Sequence, residues 1–436
     1  MSIETLYSLF KQYPSVQTDT RQLHPGSLFF ALKGDNFDGN QFARQALEAG
    51  AVAAIIDNPT CFIDKRTILV DDVLTTLQAL AKKHREQFSI PFLAITGSNG
   101  KTTSKELVHA VLATTFKTYT TQGNLNNHIG IPLTLLRVHS DAEIAVIEMG
   151  ANHQKEIAGY CTYALPNYGI ITNCGKAHLE GFGGVEGVKK GKGELYDFIR
   201  AQGGTIIRNN DYDYLLEMSK GISSVLTYGT VAADTVGSIA QADPFLRVSI
   251  QHTLKGILPE LENIQTQLVG DYNLSNVLLA VTVGLHFGVS PEKIKWALEN
   301  YQPTNSRSQL LKKDSNSIIL DAYNANPSSM QLAIENFNKI QASHKVLMLG
   351  SMAELGVDSL NEHQQIVNLI ANCSFQAVVL VGDQFAQVQH PYLQFATAKE
   401  AADWYQKQNF QHTHFLIKFD QDQIYMIQHL NIYQER

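Results

Sequence analysis

The chain has only four cysteines, Cys61, Cys161, Cys174 and Cys373, and no two of them stand at C-x-x-C spacing. Neither a zinc site nor a disulfide framework is indicated. No stretch approaches the ~18 apolar residues of a membrane span; the longest, Ala49 to Ile56, is short and contains Gly50. The start, Met1-Ser2-Ile3-Glu4-Thr5-Leu6, lacks the basic segment of a secretory signal. Basic residues are not in excess, and the net charge of −7 argues against a general nucleic-acid binder. From these absences a reducing, cytoplasmic setting is expected. One further absence is local: the phosphate-loop pattern G-x-x-x-x-G-K-[ST] has Ile95 where its first glycine belongs.

The rest of that pattern is present. Thr96-Gly97-Ser98-Asn99-Gly100-Lys101-Thr102-Thr103 follows the apolar run Pro91–Ile95 and precedes Lys105–Leu112, which has helical spacing. Strand, glycine turn and helix together make a phosphate site, because backbone N–H groups and a helix N-terminus converge on an anion. Lys101 would reach the outer phosphates and the Thr102 hydroxyl would ligate Mg²⁺.

A length of 436 residues implies about three domains. Strands are expected at Ser27–Leu32 and Ala51–Ile56, with helices at Phe42–Ala49 and Val73–Gln87, giving a small α/β module over residues 1–85. Over 86–303, the apolar runs Phe92–Thr96, Glu143–Met149, Tyr168–Thr172 and Gly204–Arg208 read as parallel strands covered on both faces. Ser223–Leu268 breaks into short pieces with many turns, which predicts an antiparallel flap or small sheet. Tyr272–Phe287 has helical spacing, and Pro291 suits the first turn of the next helix. Over 304–436, strands near 317–320, 345–349, 377–381 and 414–417 alternate with helices near 328–340, 360–372 and 398–406. The expected class is α/β, with a mostly parallel P-loop-type sheet in the centre and an open Rossmann-like sheet at the C-terminal end.

In open α/β sheets, ligands gather at the carboxyl ends of strands. Glu148 ends one such strand and His178, in Ala177-His178-Leu179-Glu180-Gly181-Phe182, follows another. Singly, Glu148 could be structural and His178 an ordinary core histidine; jointly, beside a phosphate loop, they suit metal-assisted phosphate chemistry. Gln122–Pro132, holding Asn124, Asn126 and Asn127, is either a turn-rich loop or a polar recognition segment. Val188–Tyr196, with Lys189, Lys190 and Lys192, reads by composition as a solvated basic turn at a helix start.

These residues resemble one family, the ATP-dependent Mur ligases of peptidoglycan synthesis. The shortened phosphate loop is similar to that family's. Gly123-Asn124-Leu125-Asn126-Asn127, Ala177–Phe182 and Asp321-Ala322-Tyr323-Asn324-Ala325-Asn326-Pro327 resemble its D-alanyl-D-alanine-adding members. The likeness runs from Asp19-Thr20-Arg21 to at least Gly382. It implies an ADP-forming ligase that phosphorylates the terminal carboxylate of a UDP-N-acetylmuramoyl-tripeptide and passes the acyl group to D-alanyl-D-alanine, nothing demanding more than a monomer. Gly97 to Thr103 would hold ATP with Asn273, Asn276, Arg307, Asp321 and Asn326. Thr102, Glu148, His178 and a CO₂-derived carbamate on Lys192 would hold two Mg²⁺, with Lys101, Glu148, His178 and Lys192 as the catalytic set. Thr20 and Arg21 would cradle the UDP end of the sugar nucleotide, and Asn124, Asn126 and Asn127 would meet substrate. Residues 1–85 would thus bind the UDP-sugar, 86–303 would carry out the chemistry, and 304–436 would close on ATP and the dipeptide. Tyr272, Ser351 and Lys418-Phe419-Asp420 depart from the family, which usually has His, Asp and Lys-Gly-Ser there.

Overall fold

A computed structural model describes residues 1–303 and 307–420, so the expected third unit, 304–436, begins and ends outside the described residues. Among the described residues the strands form three main sheets and one small hairpin. Near the N-terminus, Val16–Gln17, Leu28–Phe30, Ala53–Ile56 and Thr67–Leu69 lie parallel in that spatial order. The hairpin Lys33–Gly34 with Phe37–Asp38 projects beside them.

The central sheet is nine-stranded. Strand Phe92–Thr96, third from one edge, is buried throughout and pairs parallel with Ile144–Glu148 on one side and Tyr168–Ile171 on the other. Alternate side chains of Phe92–Ile95 enter different cores, as the two-residue strand period requires. Leu93 and Ile95 join helices Lys101–Ala113 and Leu274–His286. Phe92 and Ala94 join the cluster that includes helices Gly130–Leu136, Glu156–Ala164 and Val185–Gln202. After Phe92–Thr96 the chain builds Thr118–Thr120 and Ile144–Glu148 on one flank and then crosses to Tyr168–Ile171 on the other. That reversal opens a crevice at the strand ends beside the phosphate loop.

Helix Val73–Arg85 joins the first sheet to this body. The Arg85 guanidinium donates to the carbonyls of Ala164 (3.0 Å), Leu165 (2.8 Å) and Phe88 (2.9 Å) and lies 3.7 Å from the centre of the Phe92 ring. Three backbone acceptors and an aromatic face compensate a cation whose pKa burial lowers to about 10.

The Ser223–Leu268 region corrects the expectation of a separate antiparallel flap. Ser224–Gly229 extends the central sheet, parallel to Thr205–Asn209. Antiparallel pairing begins only between Thr235–Gln241 and Arg247–His252, and continues to Ile264–Gln265. Frequent turns mark short strands in either geometry, but the partner of the first strand is fixed by a contact distant in sequence.

In the third sheet the spatial order is Gln309–Lys313, Asn316–Asp321, His414–Lys418, Lys345–Gly350, Ala377–Val381 and Leu393–Phe395. His414–Lys418, late in the sequence, is inserted between two earlier strands and brings its own end to the interface with the central domain. Edge strands Gln309–Lys313 and Leu393–Phe395 were not evident in the sequence.

Candidate active site

The phosphate loop is shaped by two close approaches. Gly97 has φ +146°, and a Cβ there would lie 2.0 Å from Thr172 Oγ1; at Gly100, φ +78°, it would lie 2.7 Å from Asn276 Oδ1. Only glycine fits both the space and the backbone conformation. The neighbouring strand end braces the loop: Ser98 N–H donates to Asn173 O (2.9 Å) and Thr172 Oγ1 to Asn99 O (2.6 Å). Helix Lys101–Ala113 has no side-chain N-cap, so its first N–H groups remain for an anion. Lys101 Nζ folds back onto Gly97 O (2.7 Å) and Ser98 O (3.2 Å). Burial lowers its pKa to about 8, against the opposing pull of Glu148.

Glu148 is 1% exposed at its strand end. Its Oε1 accepts from Thr102 Oγ1 (3.1 Å) and Asn126 Nδ2 (2.8 Å), while Oε2 is buried without a hydrogen-bond partner among the described residues. An orphaned buried carboxylate oxygen is costly and asks for a cation. The Thr102 hydroxyl and the loop beside it supply hard oxygen chemistry suited to Mg²⁺. The residues therefore fit a metal ion here, although no cluster of three His, Cys, Asp or Glu side chains with metal-binding geometry occurs among the described residues.

His178 lines the same cavity, of about 450 Å³, and its Nδ1 meets the Glu354 carboxylate from the third domain. That contact holds the Glu354 carboxyl below its ordinary pKa. Lys192 corrects the reading by composition. It lies inside helix Val185–Gln202, 1% exposed, with Nζ donating to Ala151 O (2.9 Å) and 4.8 Å from the centre of the Phe182 ring. Gly191 permits this, since a Cβ there would be 2.4 Å from Phe182 Cε1. Desolvation lowers the Lys192 pKa to about 7. Ala151 lines the cavity and Lys192 does not, so Lys192 sits behind the Ala151 wall.

On the opposite side, Asn276 Nδ2 donates to Asn273 Oδ1 (2.8 Å), Asn273 Nδ2 to Val269 O (2.8 Å), and Ser104 Oγ to Asn276 Oδ1 (2.9 Å). Both amides line the cavity. Tyr272 is tied to Ser308 (2.6 Å). The Arg307 guanidinium stacks 3.5 Å from the centre of the Tyr323 ring, and its buried Nε has no hydrogen-bond partner among the described residues. Asp321 pairs with Lys418 (2.6 Å), which is 1% exposed and also donates to Asn324 O. Asn326 caps helix Pro327–Lys339 and donates through Nδ2 to Asn99 Oδ1 (2.8 Å), joining the third domain to the phosphate loop.

Asn124, Asn126 and Asn127 line the cavity, Asn127 also accepting from the N–H groups of Ile129 and Gly130. Thr20 and Arg21 are not brought to it; Arg21 pairs with Asp19 (2.7 Å) at the surface of the first sheet. Sequence reasoning passed over Glu354 and Tyr323, and left Lys418 without a role. For Lys418 the available signal was its position at a strand end.

Matches to family descriptions run the length of the chain. Residues 12–85 match the Mur ligase family catalytic domain, 95–284 the Mur ligase middle domain, and 306–415 the Mur ligase glutamate ligase domain. The chain belongs to the Mur ligase family. Among Mur ligases it is 39% identical to the UDP-N-acetylmuramoyl-tripeptide–D-alanyl-D-alanine ligase of Bacillus subtilis, over 78% of this chain and 74% of the other. The enzyme of the same name from Escherichia coli is 36% identical, over 85% and 81%. The crystal structure of MurF from Acinetobacter baumannii superposes with a TM-score of 0.85 at 31% identity, covering 95% of this chain and 92% of that one. Among the described residues, no helix of this Mur ligase is long and apolar enough to cross a membrane.

Proposed function

We propose that this Mur ligase joins D-alanyl-D-alanine to UDP-N-acetylmuramoyl-tripeptide, forming ADP, phosphate and the pentapeptide precursor of peptidoglycan. The observation that carries the reading is the orphaned Glu148 oxygen at the junction of phosphate loop and third domain, in a chain related along most of its length to ligases of that name. ATP would lie along Gly97–Thr103, with Asn273 and Asn276 on the adenine side and Arg307, Asp321 and Asn326 closing from the third domain. The terminal carboxylate of the tripeptide would attack the γ-phosphorus; ADP leaves, and the acyl phosphate takes up the dipeptide amine and expels phosphate. Lys101 and Arg307 would offset charge on the transferring phosphoryl group, a reaction that depends mainly on positioning and electrostatics. Two Mg²⁺, when bound, would neutralise the repulsion between nucleotide and carboxylate.

Thr102 and Glu148 would hold the first ion, and His178 with Glu148 the second. Lys192, with its lowered pKa, is available as the neutral amine that adds CO₂, and as a carbamate it would present anionic oxygen toward the Ala151 wall. Residues 1–85, through Thr20 and Arg21, would take the UDP end; 86–303 would carry out the chemistry; 304–436 would shield the acyl phosphate from water and receive the dipeptide. Nothing in this reading demands more than a monomer, and nucleotide substrates suit a cytoplasmic setting.

The test is ADP release from ATP with UDP-N-acetylmuramoyl-tripeptide, with and without D-alanyl-D-alanine. Turnover dependent on the dipeptide supports the assignment. Turnover without it, or met equally by single amino acids, overturns it.

A further inference from the structure

The third domain reaches the central one through a loop whose base is firmly held. After strand Lys345–Gly350, Ser351 donates to Val381 O through both its N–H (2.8 Å) and its hydroxyl (3.0 Å). Met352 N–H donates to His363 Nε2 (3.0 Å), and Met352 and Leu355 are buried. Between them Glu354 adopts φ +59°, an uncommon conformation for a residue with a side chain. Its backbone carbonyl accepts the N–H of Glu180 (3.1 Å), and its carboxylate meets Nδ1 of His178. Gly356 follows at φ +56°, where a Cβ would stand 3.3 Å from Glu180 Cβ. Two backbone segments thus meet at several points, and the Glu354–His178 contact is one part of a fitted junction.

A carboxylate only accepts hydrogen bonds. When Glu354 faces Nδ1, the proton of a neutral His178 imidazole resides there, and Nε2 keeps the lone pair a metal ion requires. Carboxylates in this relation to a ligating histidine fix its tautomer and ring orientation. Here the carboxylate comes from a different domain than the histidine. We propose that Glu354 is a positioning residue that sets His178 as the Nδ1–H tautomer, so that the second metal site is completed only when the third domain is docked. This rests on the reading of His178 as a metal ligand. On this account the chain does not assemble the full metal set, and so does not commit ATP, until the domain that excludes water is in place.

The experiment is Mn²⁺ binding to the full-length protein with a non-hydrolysable ATP analogue, followed by the electron paramagnetic resonance signal of free Mn²⁺. Wild type should bind two ions and His178→Ala one. Glu354→Ala should weaken the second site about 10- to 100-fold and leave the first unchanged. Glu354→Gln, whose amide oxygen still accepts from Nδ1, should lie between, and it replaces Glu354→Ala if that variant does not fold. Lys176→Met breaks a different interdomain contact, the 2.6 Å ion pair with Glu362, without touching His178. Small-angle X-ray scattering reports docking in each variant. Lys176→Met should weaken the second site only as far as it undocks the domain, whereas Glu354→Ala should weaken it with the domain still docked. If Glu354→Ala loses second-site affinity only by undocking, Glu354 acts only by docking and the proposal is overturned. Wild-type affinity at both sites in Glu354→Ala, with one site lost in His178→Ala, overturns the proposal while sparing the ligand reading. Two sites retained in His178→Ala overturns both.

Discussion

Asn326 Nδ2 donates to Asn99 Oδ1 across 2.8 Å, so a side chain that starts a helix of the third domain also holds the phosphate loop. Its two duties are separable. Asn326→Asp keeps a good N-cap but loses the donor, whereas Asn326→Ala loses both. Asn326→Asp should leave the apparent Tm near wild type and lower kcat/KM for ATP about 3- to 10-fold, the range of one neutral hydrogen bond. Asn326→Ala should add a stability loss of about 1 kcal/mol. Steady-state kinetics and thermal melts distinguish them.

Glu148→Gln keeps an oxygen for Thr102 and Asn126 but puts an amide where the orphaned oxygen stands. The fold should persist, with a Tm equal to or above wild type, because a buried unpaired carboxylate is removed. Mg²⁺-dependent turnover should fall at least ~100-fold, a loss consistent with removing charge stabilisation from the transition state. Wild-type kinetics would exclude Glu148 as a ligand.

The Lys192 pKa of about 7 lies below its ordinary 10.5, so the group lowers stability and the sign with pH is fixed. Below about pH 7 both folded and unfolded chains carry the proton, and the cost of the buried cation is fully present. Between about 7 and 10.5 the unfolded chain binds more protons, so this contribution to stability improves as pH rises. In bicarbonate-free buffer, Lys192→Met should melt above wild type near pH 7, by an amount on the order of 1–4 kcal/mol, and the gap should close toward pH 10. Melting curves at several pH values check this.

A carbamate role for Lys192 makes a separate prediction. Lys192→Ala should lose most ligation, and added acetate or another short carboxylic acid should restore part of it by supplying the missing anion. Ligation assays with and without the acid decide it. Unchanged activity in Lys192→Ala ends the carbamate reading.

Arg307 stacks on Tyr323 and has an unpartnered Nε among the described residues. Lysine would keep the charge but lose the planar stack and the fork of donors. Arg307→Lys should reduce kcat/KM for ATP about 10-fold, with little change in Tm. Equal loss in Tyr323→Leu would assign the effect to the stack.

The sequence by itself determined whatever is local. A strand, two glycines at positive φ and a helix start within Phe92–Thr103 define the phosphate loop, because each choice depends on neighbours a few residues away. The same holds for the buried strands around it and for the helices with clear spacing. Lys192 shows the limit. Its neighbours are lysines and glycines, and only the packing of Phe182 against Gly191 turns it from a solvated cation into a buried one. Tertiary structure also decided the pairing of Lys418 with Asp321, which requires the late strand His414–Lys418 to insert beside Asn316–Asp321. It decided the meeting of Glu354 with His178, two loops from different domains. Such contacts follow strand order and domain docking, and the free energy that fixes them is distributed over whole cores rather than written in any short stretch of chain.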